Sequence, residues 1–91
     1  MKDAPKRSQA QRIIAKFGSP YKLAQLLTMA RQLEDVHARP VHASTVYRWT
    51  YLKSVGGSGG VIPTREVEWI KKVARLNGVF LTDADWAPED R

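Results

Sequence analysis

The chain contains no cysteine, which excludes a disulfide staple and a thiolate-bound metal. Histidine is almost as scarce. His37 and His42 are the only two, and with Asp35 nearby they offer neither the number nor the spacing of ligands that a metal site needs. No stretch approaches the roughly 20 apolar residues of a membrane-spanning helix, and no signal-peptide pattern opens the sequence. Nucleophile–base pairs, phosphate-binding loops and dinucleotide fingerprints are all missing. The carboxylates Glu66, Glu68, Asp83 and Asp85 read as solvated charges on a helix and a tail. The expectation is a soluble cytoplasmic protein that is not an enzyme and uses no metal or cofactor.

Acidic residues are also few in the first part of the chain. Residues 1–55 carry ten Lys or Arg against three acids, Asp3, Glu34 and Asp35. From residue 56 onward five bases face six acids. The net charge of +6 is therefore gathered at one end, as in proteins that meet a polyanion, usually nucleic acid. The tail after Leu81 is acidic and is expected to point away from a phosphate backbone or to reach a second protein. With 91 residues, 43% of them hydrophobic, the chain suits one small domain held by packing alone. Three segments are expected: a mobile basic arm over 1–7, one folded domain over 8–86 and an acidic tail over 87–91.

The periodicity predicts an all-α domain. A first helix fits Ser8 to Phe17, with Ser8 as N-cap, Ala10, Ile13, Ile14 and Phe17 at helical spacing, and Gly18 as the stop. Ser19 and Pro20 begin a second helix. Its stripe of Leu23, Leu26, Leu27, Ala30 and Leu33 carries it to about Val36, before "ARP" ends it. A third helix fits His42 to Tyr51 or Leu52. The loop "SVGGSGGVIP" leads to a fourth helix capped by Thr64, with Val67, Trp69 or Ile70, Val73, Ala74 and Leu76 as its stripe and Asn77–Gly78 as its end. One further turn capped by Thr82 follows. Val79, Phe80, Leu81 and Trp86 are expected to close the core, and Trp69 is expected on the core side. Met29 and Leu33 are left over on the long second helix, where they suggest a surface for self-association.

At 100° per residue the third helix separates into two faces. Val46, Trp49 and Thr50 share one, which points inward. Ser44, Tyr47, Arg48 and Tyr51 share the other, with Thr45 at its edge. Small hydroxyl residues at the start of such a helix let its backbone approach a groove floor, and Arg can grip guanine O6 and N7 with two parallel bonds. Free N–H groups at the helix start also favour phosphate.

The ordered set "FGSPYKLAQLL", "VHASTVYRWT" and "GGVIPTREVEWIKKVARLNGVFLT" resembles the lambda-repressor-like, Cro-type helix-turn-helix family. Ala24, Ser44, Val46 and Trp49 stand where that family places an alanine before the turn, a small or polar start to the recognition helix, a valine and an aromatic or leucine. The resemblance implies a four-helix DNA-binding domain and a homodimer on double-stranded DNA. It implies base contacts by Ala43, Ser44, Thr45, Tyr47, Arg48 and Tyr51. It implies phosphate contacts by Ser19, Tyr21, Lys22 and Lys53, with open N–H groups of Gly56, Gly57, Gly59 and Gly60 lying along the backbone. The chain departs from the family between Ala24 and Val46, where it is about a dozen residues longer and has Thr28 near the place of the usual turn glycine. Either the second helix is extended and returns through Pro40, or the turn is rebuilt; the continuing stripe favours extension. Two rival roles use the same features: a nonspecific architectural nucleic-acid binder, and an antitoxin- or adaptor-type module that meets a protein through the acidic tail or the long helix.

Overall fold

The structure, a computed structural model, describes residues 7–87; residues 1–6 of the expected arm and 88–91 of the expected tail lie outside the described residues. These form five α-helices: α1 (Gln9–Phe17), α2 (Pro20–Glu34), α3 (Ala43–Arg48), α4 (Thr64–Leu76) and α5 (Asp83–Trp86). A single 3-10 turn, Lys53–Val55, lies between α3 and α4, and there is no strand among the described residues. The all-α expectation holds. No described helix is long and apolar enough to cross a membrane.

Local signals account for most helix boundaries. Ser8 caps α1 in a capping box with Gln11, and Gly18 ends it at φ +110°, a left-handed angle that favours glycine. The Ser19 hydroxyl accepts the Lys22 N–H at 3.0 Å, and Pro20 takes the first helical position of α2. Thr82 and Asp85 form a second capping box at α5. Thr64 does not cap α4. It is already helical, and Pro63 occupies the cap position without a side-chain bond.

One core joins the first four helices. Ala10, Ile13, Ile14 and Phe17 of α1 meet Leu23, Ala24, Leu27 and Ala30 of α2, Val46 of α3, Trp49, Ile62, and Ile70, Val73 and Ala74 of α4. Gln9 ties distant loops to it, accepting the Ile62 N–H at 2.9 Å and donating to the Trp86 carbonyl at 2.7 Å. Two residues expected to pack stay outside: Phe80 is 79% exposed and Leu76 is also exposed. Leu33 and Met29 are exposed as expected of surplus apolar surface on α2, and Val36 beyond its end is exposed too. The stripe of α2 continues past Ala30, but its later turns extend beyond the body that could cover them.

Two carboxylates expected in solvent are instead buried. Glu66 forms an ion pair with Arg31 across α2 and α4, with Arg65 Nε 3.7 Å from its other oxygen. Asp85 accepts the Thr82 N–H at 2.8 Å. That bond, the Thr82 hydroxyl and Lys16 at 3.5 Å outweigh burial and hold its pKa below the ordinary carboxyl value. Glu68 and Asp83 are exposed as expected.

The long second helix is braced rather than free. Arg31 lies over the Trp69 ring at 5.6 Å, and Lys72 lies 5.4 Å from the same ring while pairing with Glu34. Cations over a tryptophan face are attracted by its quadrupole. Trp69 is therefore half-buried between two cations and not wholly within the core.

Candidate nucleic-acid interface

The residues between the middle of α2 and α3 form an excursion that closes on itself. α2 runs unbroken to Glu34, slightly short of Val36, and Asp35 turns extended at φ −147°. The Asp35 carboxylate accepts the His37 N–H at 3.0 Å, and Gln32 donates to the Ala38 carbonyl at 3.2 Å. The chain then returns to where it left the core. Thr28 Oγ1 accepts the Val41 N–H at 2.8 Å and is placed to donate to the carbonyls of Ala24 at 2.9 Å and Val41 at 3.3 Å. Thr28 thus clamps the residue two places before α3. The clamp holds the start of α3 against the middle of α2.

α3 itself is short. It spans six residues and ends at Arg48, where Tyr51 or Leu52 was expected. The backbone after it tightens: Trp49, Thr50 and Tyr51 donate to the carbonyls of Val46, Tyr47 and Arg48, each three residues back. The loop then takes over, with Ser58 N–H bonding to the Arg48 carbonyl and Gly59 N–H to that of Tyr51. A helix of this length has too few aligned peptides for its amino end to draw phosphate unaided. His42 stands at its cap position without a side-chain bond.

The division of faces holds. Val46 is fully buried and Trp49 is 3% exposed, whereas Tyr47 and Tyr51 are 46% and 44% exposed. Ser44 and Arg48 are exposed beside them, and Thr45 is half-buried. Ala43 is half-buried against the core, which leaves its methyl little reach toward a partner. Arg48 has no acidic partner among the described residues.

Two clefts flank this face. One, of about 420 Å3, is lined by Tyr21, Gln25 and Met29 of α2 and by Val41, His42 and Ala43 at the entry to α3. It brings the front of α2 beside the start of α3. Tyr21 and Lys22 are exposed there, while the Ser19 hydroxyl is already engaged in capping. The other, of about 310 Å3, is lined by Thr45, Arg48 and Trp49 together with Gly56, Gly57, Ser58, Pro63 and Arg65.

Three of the four glycines expected to offer open N–H groups do not, and the fourth, Gly60, is buried. Gly56, Gly57 and Gly59 donate to the carbonyls of Lys53, Leu52 and Tyr51 at 3.1, 3.0 and 2.9 Å. The loop is a built turn, so close at Gly57 that any side chain there would collide with the Tyr51 backbone. Lys53 is exposed, and its aliphatic stem lies along Gly59.

Thr28 and Arg65 were missed as interface elements in the sequence. A lone hydroxyl within the apolar stripe of α2, four residues after Ala24, was the available signal for Thr28. Arg65 carried none, because its place beside α3 depends on how the loop folds. Comparisons with protein-family models, curated proteins and solved structures gave no match.

Proposed function

We propose that this protein is a sequence-reading regulator that binds double-stranded DNA by setting α3 into the major groove, in the manner of a helix-turn-helix repressor. The observation that carries the reading is the outward face of α3. Ser44, Tyr47, Arg48 and Tyr51 stand exposed over a firmly buried Val46 and Trp49, and Arg48 is free of any acid among the described residues. A rigidly seated short element with an unpaired guanidinium is suited to base-edge contact, and the basic first half of the chain supplies the attraction for phosphate. Thr28 acts in this reading as the substitute for a tight turn. The protein works at the nucleoid, with two copies on a two-fold site; the exposed Met29, Leu33 and Val36 on the extension are apolar surface available to the second copy.

The test separates reading from gripping. Arg48→Ala should lose about 1–3 kcal/mol on a site selected from a random pool and little on scrambled duplex. Lys22→Ala should weaken both equally and lower the salt slope by about one. Equal losses on both duplexes for Arg48→Ala would favour the architectural role instead. Failure of the parent to bind any duplex at moderate salt, with a stable protein partner recovered, would favour the adaptor role, for which the same exposed apolar residues speak.

A further inference from the structure

We propose that the cleft between α3 and α4 is an oxyanion site that seats one phosphodiester of the DNA backbone, with Arg65 as its principal grip. The inference rests on the DNA-binding reading and replaces the glycine N–H groups as the source of the phosphate contact on this side of α3.

The cleft lining decides which groups can donate. Gly56 and Gly57 have spent their N–H groups on the loop, as described. The Ser58 hydroxyl lies 2.8 Å from the Val61 carbonyl and 3.3 Å from that of Trp49, so its single proton is committed inward. Trp49 is buried and Pro63 has no N–H. What remains are the Thr45 hydroxyl, for which no bond exists among the described residues, and the guanidinium groups of Arg48 and Arg65. No carboxylate lines the cleft.

Arg65 is the cation left for phosphate, because Arg48, unpaired among the described residues, is the one assigned to the base edges. The Arg65 side chain is 78% exposed, and its one acidic neighbour, Glu66, lies at 3.7 Å. Glu66 is already neutralised by Arg31 from the opposite side, so little negative charge is left to hold Arg65. A guanidinium offers two parallel N–H donors matched to a phosphate's oxygens. Arg48 forms the wall between the cleft and the outward face of α3. A phosphate seated against Arg65 and Thr45 would set the depth at which Arg48 meets the base edges.

The experiment uses the full chain and Arg65→Ala, with a thermal melt to confirm that this exposed substitution leaves the fold intact. Binding is measured on a selected duplex and on a scrambled one across a salt series. Arg65→Ala should weaken both by the same factor and lower the salt slope by about 0.9, the value for one phosphate on duplex DNA. An unchanged slope with the parent binding normally would overturn the cleft site and leave the DNA-binding reading standing. A loss confined to the selected duplex would make Arg65 a base reader and also overturn it. If the parent bound no duplex, the DNA-binding reading would fall, and the phosphodiester assignment with it. A parallel titration with inorganic pyrophosphate, followed at the Trp49 indole and Gly57 amide resonances, tests the cleft without DNA. Shifts in the parent that vanish in Arg65→Ala support an oxyanion site, and no shift in the parent counts against one.

Discussion

Replacing Thr28 by valine tests whether one hydroxyl holds the start of α3 in place. Valine keeps the β-branch and nearly the same volume, so helix propensity and packing change little. Only the polar contacts are lost. The hydroxyl has a single proton, so its donor contacts to Ala24 at 2.9 Å and Val41 at 3.3 Å compete and count as one bond. Its acceptor bond from the Val41 N–H at 2.8 Å is the more consequential one. The Ala24 carbonyl retains its helical partner, whereas a half-buried Val41 N–H would be left unpaired, at about 1–3 kcal/mol. Both residues are only partly buried, and water can recover some of that cost. The expected destabilisation is about 1–2 kcal/mol, with the melting temperature falling by about 4–8 °C for each kcal/mol in a domain of this size. Thr28→Ser retains the hydroxyl and should keep most of the stability. The assay is a circular-dichroism melt of the three proteins, combined with amide hydrogen exchange at Val41. Equal melts for Thr28→Val and the parent, with no faster exchange at Val41, would refute the clamp.

Two other outcomes follow from burial. Trp49→Ala should cost about 3–5 kcal/mol, as for a large aromatic removed from a packed core; a denaturant midpoint close to the parent's would mean that the two faces of α3 have been assigned the wrong way round. Asp85 has a folded pKa below its ordinary value of 3.8, first because it accepts the Thr82 N–H. A depressed carboxylate contributes stability that is present above the unfolded pKa and is lost as pH falls toward the folded one. Urea melts taken from about pH 6 down to about pH 3 should therefore show a loss that is shallower in Asp85→Asn, and parallel pH profiles would contradict this.

Signals within a turn or two of each other were legible in the sequence alone. Ser8, Ser19 and Thr82 announced their helix starts, and Gly18 and Gly78 the helix ends, because a cap is settled by bonds to groups three or four residues away. The spacing of Val46 and Trp49 likewise fixed which face of α3 points inward, since helical periodicity needs no knowledge of the partner. The continuing stripe of α2 correctly indicated an unbroken helix, and its length beyond so small a core left Met29 and Leu33 as surface, where they are found. The remaining features depended on groups far apart along the chain. Thr28 meets Val41, Arg31 neutralises Glu66, and Arg48 and Tyr51 surrender their carbonyls to Ser58 and Gly59, which helps to stop α3 at six residues. The N–H groups of Gly56, Gly57 and Gly59 were expected to be open for the same reason: nothing in the loop's composition says that they turn inward. Whether a polar group faces solvent, a ligand or a distant backbone atom is decided by which segment packs opposite it, and only the tertiary structure brings that segment there.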